Sequence, residues 1–245
     1  KWNLGWMHDV LKFFEATPAR RPDLFGQLLH CFDYQYSEDF IQVFSHDEVV
    51  HEKRSLLMKM GAGEGMALKA ADLRTLFVLF WGWPGKKTLF MGGEFGQVRE
   101  WAVNGILQWE LVDDPVHRGL QELVYDLNHH YVRESTLHRT DSQSRAFQCV
   151  DAAHPTLSFL RWGQREGEVY LYVFNFGPQS CAKQVGVSVG GQWSLIINTA
   201  DLRYGGDVDA KIRSQIAQEP GEEGHSYSLG VELTAHSAQV WQADR

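Results

Sequence analysis

The residues of this chain best suited to chemistry lie together in the stretch Phe44-Ser45-His46-Asp47-Glu48-Val49-Val50-His51. An imidazole and two carboxylates occupy consecutive positions there. They follow directly on the run 39–44, which is largely apolar and has the length of a β-strand. A buried strand that ends in polar side chains delivers them to one place. In (β/α) barrels the chemistry sits where strands end and the following loops begin. The same residues also suit a helix start, with Ser45 or Asp47 as its cap, and spacing alone leaves both readings open. His8, His51 and His117 stand alone, without partners at metal-ligand spacing, so no metal site is expected.

The elements that must position this cluster lie on either side of it. Met7, Val10, Leu11 and Phe14 recur at helical spacing and predict a helix over 7–16, ended by Pro18 and Pro22. Residues 23–36 are aromatic-rich and without clear period, as expected of an irregular loop covering part of a site. A strand over 40–44 carries the cluster, and Gly61, Gly63 and Gly65 mark a flexible loop beyond it. A second helix over 67–80 places Leu73, Leu76, Phe77 and Phe80 on one stripe and closes at Gly82 and Pro84-Gly85. The next buried strand spans 88–91 and leads into Gly92-Gly93-Glu94, where Glu94 is expected to serve as a structural hydrogen-bonding group. A third amphipathic helix over 116–134 runs through Leu120, Leu123, Val124, Leu127 and Tyr131. The order helix, strand, helix, strand, helix is half of a parallel α/β arrangement.

Near Thr140 short strands replace helices, with candidates at 146–150, 157–162, 169–176, 183–189, 194–198, 227–233 and 238–241. Both faces of 169–176 are apolar, which marks a central strand. Gly190-Gly191 reads as a tight turn. The stretch 201–224, rich in glycine and charge, is expected to be a long surface loop. Strands of this length and spacing predict an antiparallel sandwich.

Composition narrows the partners. A net charge of −8 argues against nucleic acid and anionic membrane, and no apolar run approaches the ~20 residues that cross a bilayer. Three widely spaced cysteines, with no CxxC, read as reduced thiols of a cytoplasmic protein. No signal peptide is visible, and a start at Lys1 rather than Met suggests part of a longer polypeptide. Nine Trp, eight Tyr and fourteen Phe are enough to stack on sugar rings, although most are expected to fill the core.

The string Ser45-His46-Asp47-Glu48-Val49-Val50-His51, continued by Lys53-Arg54-Ser55-Leu56, resembles the fourth signature region of 1,4-α-glucan branching enzymes, members of the α-amylase superfamily. Hydrolytic amylases share the His-Asp pair there but usually lack the continuation Glu-Val-Val-His. Lys1 to Asp9, Pro84 to Gly92, and Glu94-Phe95 with Arg99-Glu100-Trp101 are similar to the same family. The likeness departs from the family pattern at Glu52 and Val98, where Gly is usual, at Gly93, where Asn is usual, and at Gly96, where Ala is usual.

The resemblance implies a fold that is α/β plus all-β. Residues 1–139 would be the C-terminal portion of a (β/α)₈ TIM barrel, from the end of strand six to helix eight. Residues 140–245 would be the antiparallel β-sandwich of the superfamily's C-terminal domain. It implies retaining transglycosylation that makes α-1,6 branches, without a cofactor. The partners would be an α-1,4-glucan and the missing N-terminal part of the same polypeptide. Asp47 then corresponds to the carboxylate that stabilises the transition state, and His46 to its neighbour that donates to a sugar hydroxyl. Trp2 stands where the family places an aromatic beside the glucan groove. Glu48 either binds sugar or braces the loop, the latter by pairing with Lys53 or Arg54. The nucleophile and the acid/base residue fall after barrel strands absent from this chain, so the chain alone is expected to be inactive. Two rival readings are a non-catalytic glucan-binding or assembly module and a fragment of an α-glucan hydrolase. Glu48-Val49-Val50-His51 argues against the second.

Overall fold

The computed structural model describes residues 1–165, 167–209 and 213–244. Helix α1 (Leu4–Glu15) begins where the Asn3 side chain accepts the Trp6 N–H, and it buries Trp6, Met7, Val10, Leu11, Phe13 and Phe14. Residues expected to form a loop instead make helix α2 (Arg21–Tyr34). Pro22 does not stop it, because proline in the first helical turn removes only an N–H that has no intrahelical partner. Strand β1 (Ile41–Phe44) follows and leads into the His46–Glu48 turn. After the short helix α3 (Leu56–Lys59) comes α4 (Met66–Gly82), then strand β2 (Lys86–Leu89), parallel to β1 with Ile41 opposite Lys86. Trp2 extends this pair as an isolated parallel bridge to Ile41. Helices α5 (Pro115–Arg133) and α6 (Ser135–His138) complete the helical part.

Eight strands follow among the described residues. They are β3 (Phe147–Asp151), β4 (Thr156–Trp162), β5 (Val169–Asn175), β6 (Cys181–Val187), β7 (Gly191–Asn198), β8 (Ser214–Ala217), β9 (Tyr227–Leu233) and β10 (Ser237–Ala243). Six form an antiparallel sheet in the order β3-β4-β5-β10-β7-β8, and β6 pairs with β9 in a second, smaller sheet. The expected sandwich is therefore present, with β5 central and buried at every position. Two details differ from expectation. Strand β8 lies inside the stretch taken for a loop, of which residues 210–212 fall outside the described residues. Gly190-Gly191 does not close a hairpin, because β6 and β7 belong to different sheets.

The six-stranded sheet has an apolar core on each face. Val169, Leu171 and Val173 meet Val185, Leu229 and Trp241 between the sheets. The aromatic face, Phe159, Tyr170, Tyr172 and Phe174, packs on the helices in a cluster that reaches Trp6, Phe80 and Leu123. The expected division near residue 140 therefore runs through the larger of the two cores. This explains α4. The sequence suggested one apolar stripe, yet every residue from Ala70 to Gly82 except Ala71 is buried. A helix buried all round lies inside a protein rather than on its surface, and α4 is held between α3 and α5 and the β5–β10 part of the sheet. Glycine permits one close approach in this interface. A Cβ on Gly119 of α5 would lie 2.2 Å from the carbonyl carbon of Tyr204.

Candidate functional site

At the end of β1 the Ser45 hydroxyl accepts the N–H of Asp47 (3.2 Å), while the Glu48 carboxylate accepts the N–H of Ser45. This reciprocal cap folds His46–Glu48 into a single 3₁₀ turn. Both readings of the motif hold at once: Ser45 is a cap, and the strand end presents polar side chains. Glu48 points inward and is only 8% exposed. Its place in the cap is that of a loop brace, and the expected partners Lys53 and Arg54 are bonded elsewhere, to the carbonyls of Asp47 and Met58.

His46 and Asp47 point outward. Their side chains are 50% and 65% exposed, with Nε2 of His46 3.4 Å from Oδ1 of Asp47. The imidazole lies against Phe90 and Trp101, whose ring centroids are 5.8 and 6.1 Å away. Phe90 and Trp101 are 5.5 Å apart and form an aromatic wall on one side of the pair. On another side, Asp47 borders an open groove of about 460 Å³ lined by Met7, His8, Lys12, Lys53 and Lys59. An exposed carboxylate with four lone-pair directions beside an imidazole suits recognition of a polyhydroxylated, uncharged ligand.

Trp2 is not part of this cluster. It is half exposed, but it pairs with Ile41, at the opposite end of β1 from Asp47 and roughly 10 Å back along the strand. Glu94 lies half-buried in the turn after β2. His117 is buried, with Nδ1 2.9 Å from the Phe95 carbonyl oxygen, a structural contact. Among the described residues no group of three His, Cys, Asp or Glu side chains is arranged to hold a metal.

Sequence reasoning assigned no role to Glu100, which bridges the loops that follow the two parallel strands. Its carboxylate accepts the N–H groups of Glu52 (3.0 Å) and Arg54. Both amides belong to residues with positive φ, 64° and 67°, as does His51 at 57°. Each such non-glycine residue costs roughly 1–2 kcal/mol. Position 52, where the related family usually has Gly, is thus one that glycine would occupy without strain.

Residues 148–244 match the family "Alpha amylase, C-terminal all-beta domain". Over its whole length the chain is 41% identical to the 1,4-alpha-glucan branching enzyme GlgB of Prochlorococcus marinus. Over 95% of its length it is 43% and 42% identical to the enzymes of the same name from Cereibacter sphaeroides and Aquifex aeolicus. The chain is thus similar, over nearly its whole length, to these branching enzymes. It spans about a third of these relatives, 32% of the Prochlorococcus protein and 37% of the Aquifex protein. The fold likeness extends to proteins of much lower identity. The Nostoc punctiforme debranching enzyme superposes on 99% of this chain and 47% of its own, with a TM-score of 0.64 at 14% identity. An α-amylase from H. orenii does so over 99% and 48%, with a TM-score of 0.59 at 12% identity.

Proposed function

We propose that this chain is the C-terminal part of a 1,4-α-glucan branching enzyme, and that Asp47 and His46 are its share of the glucan-binding site. Homology at 40–43% identity over nearly the whole chain carries this reading. The placement of His46 and Asp47, exposed at the carboxyl end of a parallel strand beside a groove, supports it. In this reading residues 1–139 complete the last part of a (β/α)₈ barrel. Within the described residues β2 pairs only with β1, which leaves an edge for further parallel strands to close. Residues 140–245 form the all-β domain against which that barrel packs. The three free thiols suit a cytoplasmic enzyme. Among the described residues no helix is long and apolar enough to cross a membrane.

The reaction needs a nucleophilic carboxylate and an acid/base carboxylate about 5–5.5 Å apart across the glycosidic bond. The rest of the polypeptide supplies both. Within this chain the Asp47 carboxylate accepts two vicinal sugar hydroxyls, and His46 donates to another. These bonds tighten as the ring flattens toward an oxocarbenium ion, so they favour the transition state over bound substrate. A covalent glucosyl-enzyme then passes its chain to the 6-hydroxyl of an acceptor instead of to water. Trp2, on the exposed edge beside β1, serves as a stacking surface for a more distant part of the glucan.

Bond accounting on amylose tests the proposal. Branching by the full-length polypeptide forms α-1,6 linkages, read by their anomeric proton signals, without new reducing ends. New reducing ends without α-1,6 linkages would identify a hydrolase instead. The 245-residue chain alone should do neither, and activity in it that Asp47→Ala abolishes would refute the fragment reading.

A further inference from the structure

The loop that follows the His46–Glu48 turn doubles back through backbone conformations that its residues resist. Three of the four positions 51–54 have φ in the left-handed region, and none of the three is glycine. Such a loop keeps its shape only where neighbours hold it. The neighbour here is Glu100. One carboxylate oxygen accepts the Glu52 N–H and the other accepts the Arg54 N–H, so both ends of a single side chain are used. Lys53, carried between the two clamped amides, reaches back and donates from Nζ to the carbonyl oxygen of Asp47 (2.9 Å). Trp101, next to Glu100, donates its N–H to the Val49 carbonyl (3.0 Å) and sets its indole edge-on to the His46 ring. The turn bearing His46 and Asp47 is therefore tied to the loop after β2 at its near end by Trp101 and at its far end by Glu100.

We propose that Glu100 is a positioning residue, which fixes the orientation of Asp47 and His46 toward the glucan by clamping residues 51–54. The role rests on the glucan-binding reading of that site. A carboxylate suits it chemically, because it is an acceptor at both oxygens and bonds to a charged acceptor are the stronger kind. Glutamine of the same length keeps one acceptor and turns an NH₂ toward an N–H, so it holds one amide and repels the other.

Two readouts on the full-length polypeptide test the clamp in wild type, Glu100→Gln and Glu100→Ala. The first is amide hydrogen exchange over residues 46–54. The second is maltoheptaose affinity, followed by NMR titration of the His46 ring signals. Glu100→Ala is expected to speed exchange at the Glu52 and Arg54 amides by at least about tenfold. It should also weaken maltoheptaose binding about five- to tenfold, with the global unfolding midpoint nearly unchanged. Glu100→Gln should fall between wild type and Glu100→Ala in both readouts, a graded rescue that a merely structural role would not give. Unchanged exchange at those two amides would overturn the clamp. Faster exchange with undiminished maltoheptaose affinity would overturn its positioning role. A full-length polypeptide that does not bind maltoheptaose would refute the glucan reading itself, and the exchange readout would still decide the clamp.

Discussion

Replacing Asp72 with alanine should cost the chain 3–5 kcal/mol, the usual price of stranding one partner of a buried ion pair. Arg21 and Asp72 are both fully buried. Nη1 of Arg21 donates to Oδ1 of Asp72 at 3.0 Å, and Nη2 donates to the other oxygen. The guanidinium also donates to the carbonyls of Phe176 (2.9 Å), Phe14 (3.3 Å) and Ala16 (3.3 Å), and His236 Nδ1 lies 3.2 Å from Asp72 Oδ1. The end of α1, the start of α2, the middle of α4 and two turns of the β region thus meet at one charge pair. For a chain of this size each kcal/mol moves the melting midpoint by about 2–4 °C, so a fall of roughly 6–20 °C is expected. Urea unfolding, followed by tryptophan fluorescence and far-UV circular dichroism, measures it. The double variant Arg21→Met, Asp72→Leu removes both charges and should recover part of the loss, short of wild type because three carbonyls lose their donor. A loss under ~1 kcal/mol for Asp72→Ala, or a double variant worse than the sum of the singles, would refute the reasoning.

Two further substitutions probe the same framework. Gly119→Ala should destabilise, although alanine is the better helix former by about 1 kcal/mol, because its Cβ would meet the Tyr204 backbone; thermal unfolding reads the sign. Burial pushes the Lys87 ammonium down to about 7, opposed by nearby Asp141 and aided by Arg161 and Lys86. The unfolded chain keeps that proton up to about pH 10.4, so between pH 7 and 10 the unfolded state binds more protons and stability should rise with pH. The contribution is about 1.4 kcal/mol per pH unit, and denaturant unfolding of Lys87→Met should lack it.

The sandwich, β1 and the polar cluster at its end are legible because alternation, helical period and a polar break after an apolar run are local signals, whereas β2 spans Lys86–Leu89 with exposed and half-buried residues instead of the buried strand expected over 88–91. Helix α2 is not legible, since its apolar residues Phe25, Leu28 and Cys31 are diluted by exposed neighbours and its proline reads as a stop. Nor is the full burial of α4, whose polar residues are covered by distant partners: Asp72 by Arg21, and Thr75 by the carbonyl of His236. At the candidate site, the sequence expects His46 and Asp47 side by side at a strand end, and both are exposed there. Glu48 admits two roles in the sequence, and in the structure its carboxylate accepts the Ser45 N–H. The sequence yields no role for Glu100 because its partners are backbone amides 46 and 48 positions away, which no side-chain pattern encodes.

The central claim turns on Asp47. Asp47→Asn in the full-length polypeptide keeps the shape of the side chain and removes the charge that, in the proposed role, accepts two hydroxyl protons. Initial rates of α-1,6 linkage formation on amylose, measured with glucan affinity on the same preparations, test it most directly. Turnover should fall by at least ~10²-fold while affinity falls only about five- to tenfold, because the interaction strengthens chiefly in the transition state. Turnover near that of the unaltered protein would contradict the role assigned to Asp47, and with it the placing of the glucan site at the end of β1.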